Sequence, residues 1–153
     1  MPRETFFTDT LPKLIVVGVI LVVVIFGPSS LMAPMFVRTA PNTDTTRLSE
    51  RSFYRVSYVT TPSPPVVSQP QRWMLHVETA SGQPVDNANI AAKGNMPEHG
   101  LTLSPPPQEA QRLGGGNYVL ENIKFQTAGW WVLTVQIEVS GQSDQVIFNL
   151  ILP

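Results

Sequence analysis

Residues 130–139 read Trp-Trp-Val-Leu-Thr-Val-Gln-Ile-Glu-Val, and this alternation constrains the fold more than any other stretch of the chain. Trp131, Leu133, Val135, Ile137 and Val139 fall on one side; Thr134, Gln136 and Glu138 fall on the other. A period of two sends successive side chains to opposite faces, so the stretch is a half-buried β-strand. Ser140-Gly141-Gln142-Ser143 turns the chain. Residues 144–152 then alternate again, with Val146, Phe148, Leu150 and Leu152 in phase. The two strands are expected to pair as a hairpin. Their apolar faces supply much of a core, at about 1.5–3 kcal/mol per large buried side chain.

The same period recurs upstream. In residues 53–60, Tyr54, Val56 and Tyr58 alternate with Arg55, Ser57 and Val59. In residues 72–79, Trp73, Leu75 and Val77 share one face, and Met74, His76 and Glu78 the other. Residues 89–93, 101–104 and 117–120 are shorter strand candidates. The stretch 61–71 carries Pro62, Pro64, Pro65 and Pro70, which suits an extended crossing or an edge because proline cannot donate to a central ladder. Fifteen prolines and ten glycines favour short strands joined by turns over long helices. About seven such strands predict an all-β fold, an antiparallel β-sandwich of immunoglobulin type.

A different physical regime governs the N-terminus. Residues 14–37 contain no charged side chain, and valine and isoleucine cover every face of the densest part, from Leu14 to Phe26. As a helix that part is about 20 Å long. Extension through Leu31 and Met32 brings it to about 28 Å, close to a hydrocarbon core of about 30 Å. Pro12 suits a first helical turn, and Pro28 marks an irregularity near the outer end. Phe6, Phe7 and Phe36 are placed near the interfaces. A cleaved signal peptide is the rival reading. Glu4 and Asp9 offset Arg3 and Lys13, however, and Ala33 and Ala40 are each followed by proline, which spoils a cleavage site. The expected layout is a cytoplasmic N-terminal segment at 1–13, a transmembrane anchor at 14–37, a polar linker at 38–52 and a periplasmic β-domain at 53–153, the sides resting on the family resemblance given below. Arg3 and Lys13 on one side face Arg38, Arg47 and Arg51 on the other, so charge does not orient the span.

Composition narrows the chemistry. A net charge of −1 gives no basic excess to neutralise phosphates, so no nucleic-acid partner is expected. The absence of cysteine removes disulfides, thiolate metal sites and cysteine nucleophiles together. Gly114-Gly115-Gly116 lacks the Lys-Ser/Thr and the helix start of a phosphate loop. Ser104-Pro105-Pro106-Pro107 reads as a stiff loop. With only two histidines and no nucleophile motif, the chain is not expected to be an enzyme.

Two candidate sites remain. Met96-Pro97-Glu98-His99-Gly100 sets a thioether and an imidazole three residues apart, ligand types that suit copper. Met74 and His76 would extend the set if their strands were neighbours. The same five residues also read as a tight turn in which Pro97 fixes the backbone and Gly100 releases it. At the double tryptophan, Trp131 belongs to the core, and Trp130 points to the outer face as a contact anchor or as cover for its neighbours.

The order of short motifs resembles the YtkA-like domain family, grouped with FixH-like proteins of the bacterial envelope. The resemblance runs from Pro64-Pro65 through Gln71-Arg72-Trp73, then Gly82-x-Pro84-Val85-x-x-Ala88-x-Ile90 and Met96-Pro97-x-His99-Gly100. It closes with Gly116-x-Tyr118-x-Leu120-x-x-Ile123-x-Phe125-x-x-x-Gly129-x-Trp131-x-Leu133-x-Val135. Membership implies an immunoglobulin-like module outside the bacterial inner membrane, secreted or held by one span, and associated with respiratory-oxidase assembly or copper handling. Members often carry a second histidine where this chain has Leu101, and a methionine where it has Gln126-Thr127-Ala128. Both departures remove copper ligands. The functional expectation is therefore a non-catalytic, single-pass accessory subunit of a membrane electron-transfer complex, respiratory or photosynthetic, with the sandwich on its periplasmic face. Trp130, Leu14 and Phe26 are the expected contacts with that complex and the lipid bilayer. The alternative is a periplasmic copper-handling or oxidase-assembly factor using Met96 and His99, with copper the sole cofactor in view.

Overall fold

A computed structural model describes residues 41–103 and 108–153, and there the alternation is realised as strands and turns. No helix among the described residues is long and apolar enough to cross a membrane. The anchor expected at 14–37, with Leu14 and Phe26, lies outside the described residues, as do residues 1–13 and the loop 104–107.

The strands are β1 (Thr46–Leu48), β2 (Tyr54–Thr61), β3 (Gln71–Thr79), β4 (Asn89–Met96), β5 (Leu101–Thr102), β6 (Gln108–Glu109), β7 (Gln111–Gly114), β8 (Asn117–Ile123), β9 (Gly129–Val139) and β10 (Gln142–Leu152). They form two antiparallel sheets. The first has the order β1-β2-β3-β8-β7; the second has β10-β9-β4-β5, with β6 also on β4. The inward phases match those read from the sequence. Val56, Trp73, Leu75 and Val77 of the first sheet and Trp131, Leu133, Val135 and Phe148 of the second are fully buried in one cluster. Aromatic rings tie the layers together. Tyr58 stacks on Trp73 at 4.6 Å and meets Phe148 edge-on at 4.8 Å, and Phe125 meets Trp131 at 5.2 Å.

β9 and β10 form the expected hairpin, with Leu133 opposite Phe148. The turn is tighter than the sequence suggests. Val139 pairs with Gln142, and Ser140 (φ 51°) and Gly141 (φ 79°) alone make the reversal. Two positive φ angles in a two-residue loop match the twist of the flanking strands.

The sandwich also begins earlier than the period-two pattern indicates. Within the expected linker 38–52, β1 pairs with β2, Ser49 is buried, and the Glu50 N–H donates to the Gln145 carbonyl at 2.8 Å. Three residues are too short for alternation to show. β8 runs beyond the expected 117–120 for a related reason. Trp73 pairs with Leu120 but Gln71 with Ile123, so β8 bulges, with Asn122 at φ 60°. The bulge resets the phase, and Ile123 and Phe125 return to the core.

Candidate docking face

The histidine motif divides between inside and outside. Met96, the last residue of β4, is 1% exposed, and its thioether belongs to the core cluster. Its methyl lies against Gly129, where any Cβ would collide with it. The Met96 carbonyl accepts the His99 N–H at 3.2 Å and the Gly100 N–H at 2.9 Å, so the following residues form a tight turn with Gly100 at φ 64°. His99 is exposed on that turn. Met74 and His76 do not join these residues. They lie on β3 in the first sheet, on its outer face, whereas Met96 points inward from the second. The His76 ring instead meets the Asn117 side chain at 3.0 Å and Glu78 at 3.9 Å. Among the described residues no group of three or more His, Asp or Glu side chains is placed to hold a metal ion.

The other motif residues also act within the scaffold. Gln71 is buried; its amide donates to the Val66 carbonyl at 2.6 Å and accepts the Trp73 indole N–H at 3.3 Å, which pins the proline-rich crossing to β3. The Tyr118 hydroxyl donates to the Val85 carbonyl at 2.7 Å and accepts the Ala88 N–H at 3.0 Å. The Gly116 N–H donates to Asp86 at 2.6 Å, and a Cβ there would lie 2.5 Å from the Val77 carbonyl oxygen, so only glycine fits.

Asp144 fastens the 49–53 turn to β10. Its Oδ1 accepts the Arg51 and Gln145 N–H groups at 3.2 and 2.8 Å. Its Oδ2 makes no hydrogen bond; the Ser49 hydroxyl and the Phe53 N–H add positive dipoles near the carboxylate. Burial pushes the carboxyl pKa up, but these donors outweigh burial and hold it below the ordinary aspartate value.

What the scaffold leaves free is the outer face of the second sheet. Trp130 is half-buried there, opposite Ile151, which is 56% exposed. The next row is Asn149, Val132 and Asn95; the one after is Ile147, Thr134 and Lys93. The sequence singles out Trp130 but not Val132, Ile147 or Ile151. Their signal is apolar residues in the outward phase of β9 and β10. Asn149 links this patch to the arriving chain: its Oδ1 accepts the Trp130 indole N–H and its Nδ2 donates to the Asn42 carbonyl, both at 3.1 Å. The far half of the face is different. An open trough of about 880 Å³ is floored by Ala91, Gln136 and Gln145, with Glu109 and Glu50 at its sides and Glu138 beyond. The face thus passes from apolar with Lys93 at the Trp130 end to charged at the other, where Arg51 and Arg112 line the trough along with the glutamates. On the outer face of the first sheet a smaller apolar pair, Val59 at 66% exposure and Met74, stands side by side on β2 and β3.

No curated protein matches the chain. Among solved structures it is similar to a DUF4426 family protein from Pseudomonas aeruginosa, with 18% identity and a TM-score of 0.51 over 69% of this chain and 96% of that one. At that identity the likeness concerns the fold alone. A family model described as YtkA-like matches residues 52–136. The matched region holds Gln71, Gly82-x-Pro84-Val85, Met96 to Gly100, Tyr118 and Gly129-x-Trp131, residues of the core, the turns and the scaffold hydrogen bonds. By that match over more than half its length, the chain belongs to the YtkA-like family.

Proposed function

We propose that this chain is a non-catalytic, single-pass accessory subunit of a membrane electron-transfer complex, with its sandwich on the periplasmic face of the bacterial inner membrane. An immunoglobulin-like class is part of this reading, and the strand order supports it: β2-β3-β8-β7 against β10-β9-β4 follows the order of the two immunoglobulin sheets. The observation that carries the reading is the apolar outer surface. In a two-layer antiparallel sandwich the outward positions are ordinarily polar. Here Ile151 on one face and Val59 and Met74 on the other are exposed among the described residues, and Trp130, Val132 and Ile147 beside Ile151 are half-buried. Contiguous apolar outward residues mark contact surfaces. The uncharged run at 14–37 supports the anchor.

The second reading is a copper-handling or oxidase-assembly factor. The Met96-Pro97-x-His99 motif favours it. Ligation by both side chains would require Met96 to leave the core, at the cost of the packing against Gly129.

Mild detergent extraction of native membranes, followed by native electrophoresis, tests the subunit reading. The chain is expected to migrate with a complex carrying haem or pigment in fixed stoichiometry. Migration of the chain alone ends the reading, and substoichiometric association favours an assembly factor.

A further inference from the structure

We propose that the Trp130 end of the second sheet's outer face rests in the headgroup layer of the bilayer, so that this sheet lies against the membrane. The proposal rests on the anchor reading above and names what that face touches.

Three observations point there. The first is the location of the arriving chain. Asn42 is held to Asn149, and Asn149 holds the Trp130 ring, so the chain enters the sandwich beside that indole. Only residues 38–41 separate Asn42 from the end of the uncharged run at Val37. The five residue steps from Val37 to Asn42 reach at most about 18 Å. A span ending near Val37 therefore keeps Asn42, the residue held beside Trp130, within that reach of the lipid surface.

The second observation is the chemistry of the patch. Tryptophan concentrates at membrane interfaces because its ring is apolar and its N–H is polar. Trp130 has this form, and Ile151, Val132 and Ile147 extend the apolar surface along two adjacent strands. The third is the charge beside the patch. Lys93 flanks it next to Thr134, while the trough at the opposite end of the face mixes Glu50, Glu109 and Glu138 with Arg51 and Arg112. A cation next to the patch, with the carboxylates of the face away from it, matches a surface of lipid phosphates.

Tryptophan emission provides the test. Trp73 and Trp131 are fully buried, so Trp130 is the one tryptophan on the surface. The full-length protein is reconstituted into phosphatidylcholine–phosphatidylglycerol vesicles, with or without lipid bearing a nitroxide near the headgroup. The Trp130 share of the emission is the difference between wild type and Trp130→Phe. The expected result is loss of that share with labelled lipid, and protection of it from aqueous iodide. Ile151→Glu, at an exposed position, should keep the wild-type Tm and restore emission in labelled vesicles. Retention in the vesicles through an alkaline wash, with the Trp130 share untouched by labelled lipid and open to iodide, overturns the proposal alone. Release by the wash overturns the anchor reading and this proposal together. Trp130 shielded from both quenchers in the vesicles gives the face to a protein contact with a second copy of the chain, which also overturns it.

Discussion

Met96→Leu conserves volume and removes the thioether, so it separates packing from ligation. With Met96 inside the core cluster and its methyl against Gly129, the substitution is expected to cost less than about 1.5 kcal/mol. Met96→Ala leaves a cavity and is expected to cost about 2–5 kcal/mol. Thermal melts of the two variants check the packing. Copper titration of wild type, Met96→Leu and His99→Ala checks the ligand role: the three curves are expected to coincide, and weakened binding in either variant would support the copper reading. Asp144 gives a prediction in pH. Its folded pKa is lowered, below an unfolded value of about 3.9. The carboxylate therefore adds stability above that value, and the contribution is lost as pH falls through the folded pKa. Asp144→Asn should lower Tm at neutral pH and flatten the decline of Tm below about pH 4.

At the scale of the element, the β9–β10 hairpin carries most of the second sheet. Leu133→Asp puts an uncompensated charge where Leu133 faces the core beside Phe148. It is expected to cost about 4 kcal/mol or more and to abolish cooperative melting. Ser140 has φ 51°, a conformation asparagine tolerates better. Ser140→Asn should therefore stabilise by about 0.5 kcal/mol, raising Tm by about 2–4 °C. The long strands were legible in the sequence because one buried face imposes alternation: Trp131 to Ile137 and Val146 to Leu152 read correctly residue by residue. β1 and β6 were not, since two or three residues hold no period. The end of β8 was hidden because the bulge at Asn122 shifts the phase. The docking face was half legible. Trp130 stood out as one of two adjacent tryptophans, whereas Ile147 and Ile151 gain meaning only once β10 is paired with β9. The histidine motif was legible as a motif but not in its placement, because a ligand-like sequence does not reveal that Met96 turns inward and His99 outward.

At the scale of the whole molecule, the motif residues that resemble the family build the scaffold. Gln71, Met96, Gly116, Tyr118, Gly129 and Trp131 each make their interactions inside the domain or along its turns. Fold alone does not set function; the proposed role rests on the outer surface and the uncharged N-terminal run. A face that is apolar where the chain arrives and charged at the far end suits a module held close to a membrane and docked on a larger assembly. Native electrophoresis of mildly solubilised membranes, with the chain and the redox cofactors detected in the same band, tests this most directly. The account predicts comigration at fixed stoichiometry with a haem- or pigment-bearing complex; a chain that migrates alone would contradict it.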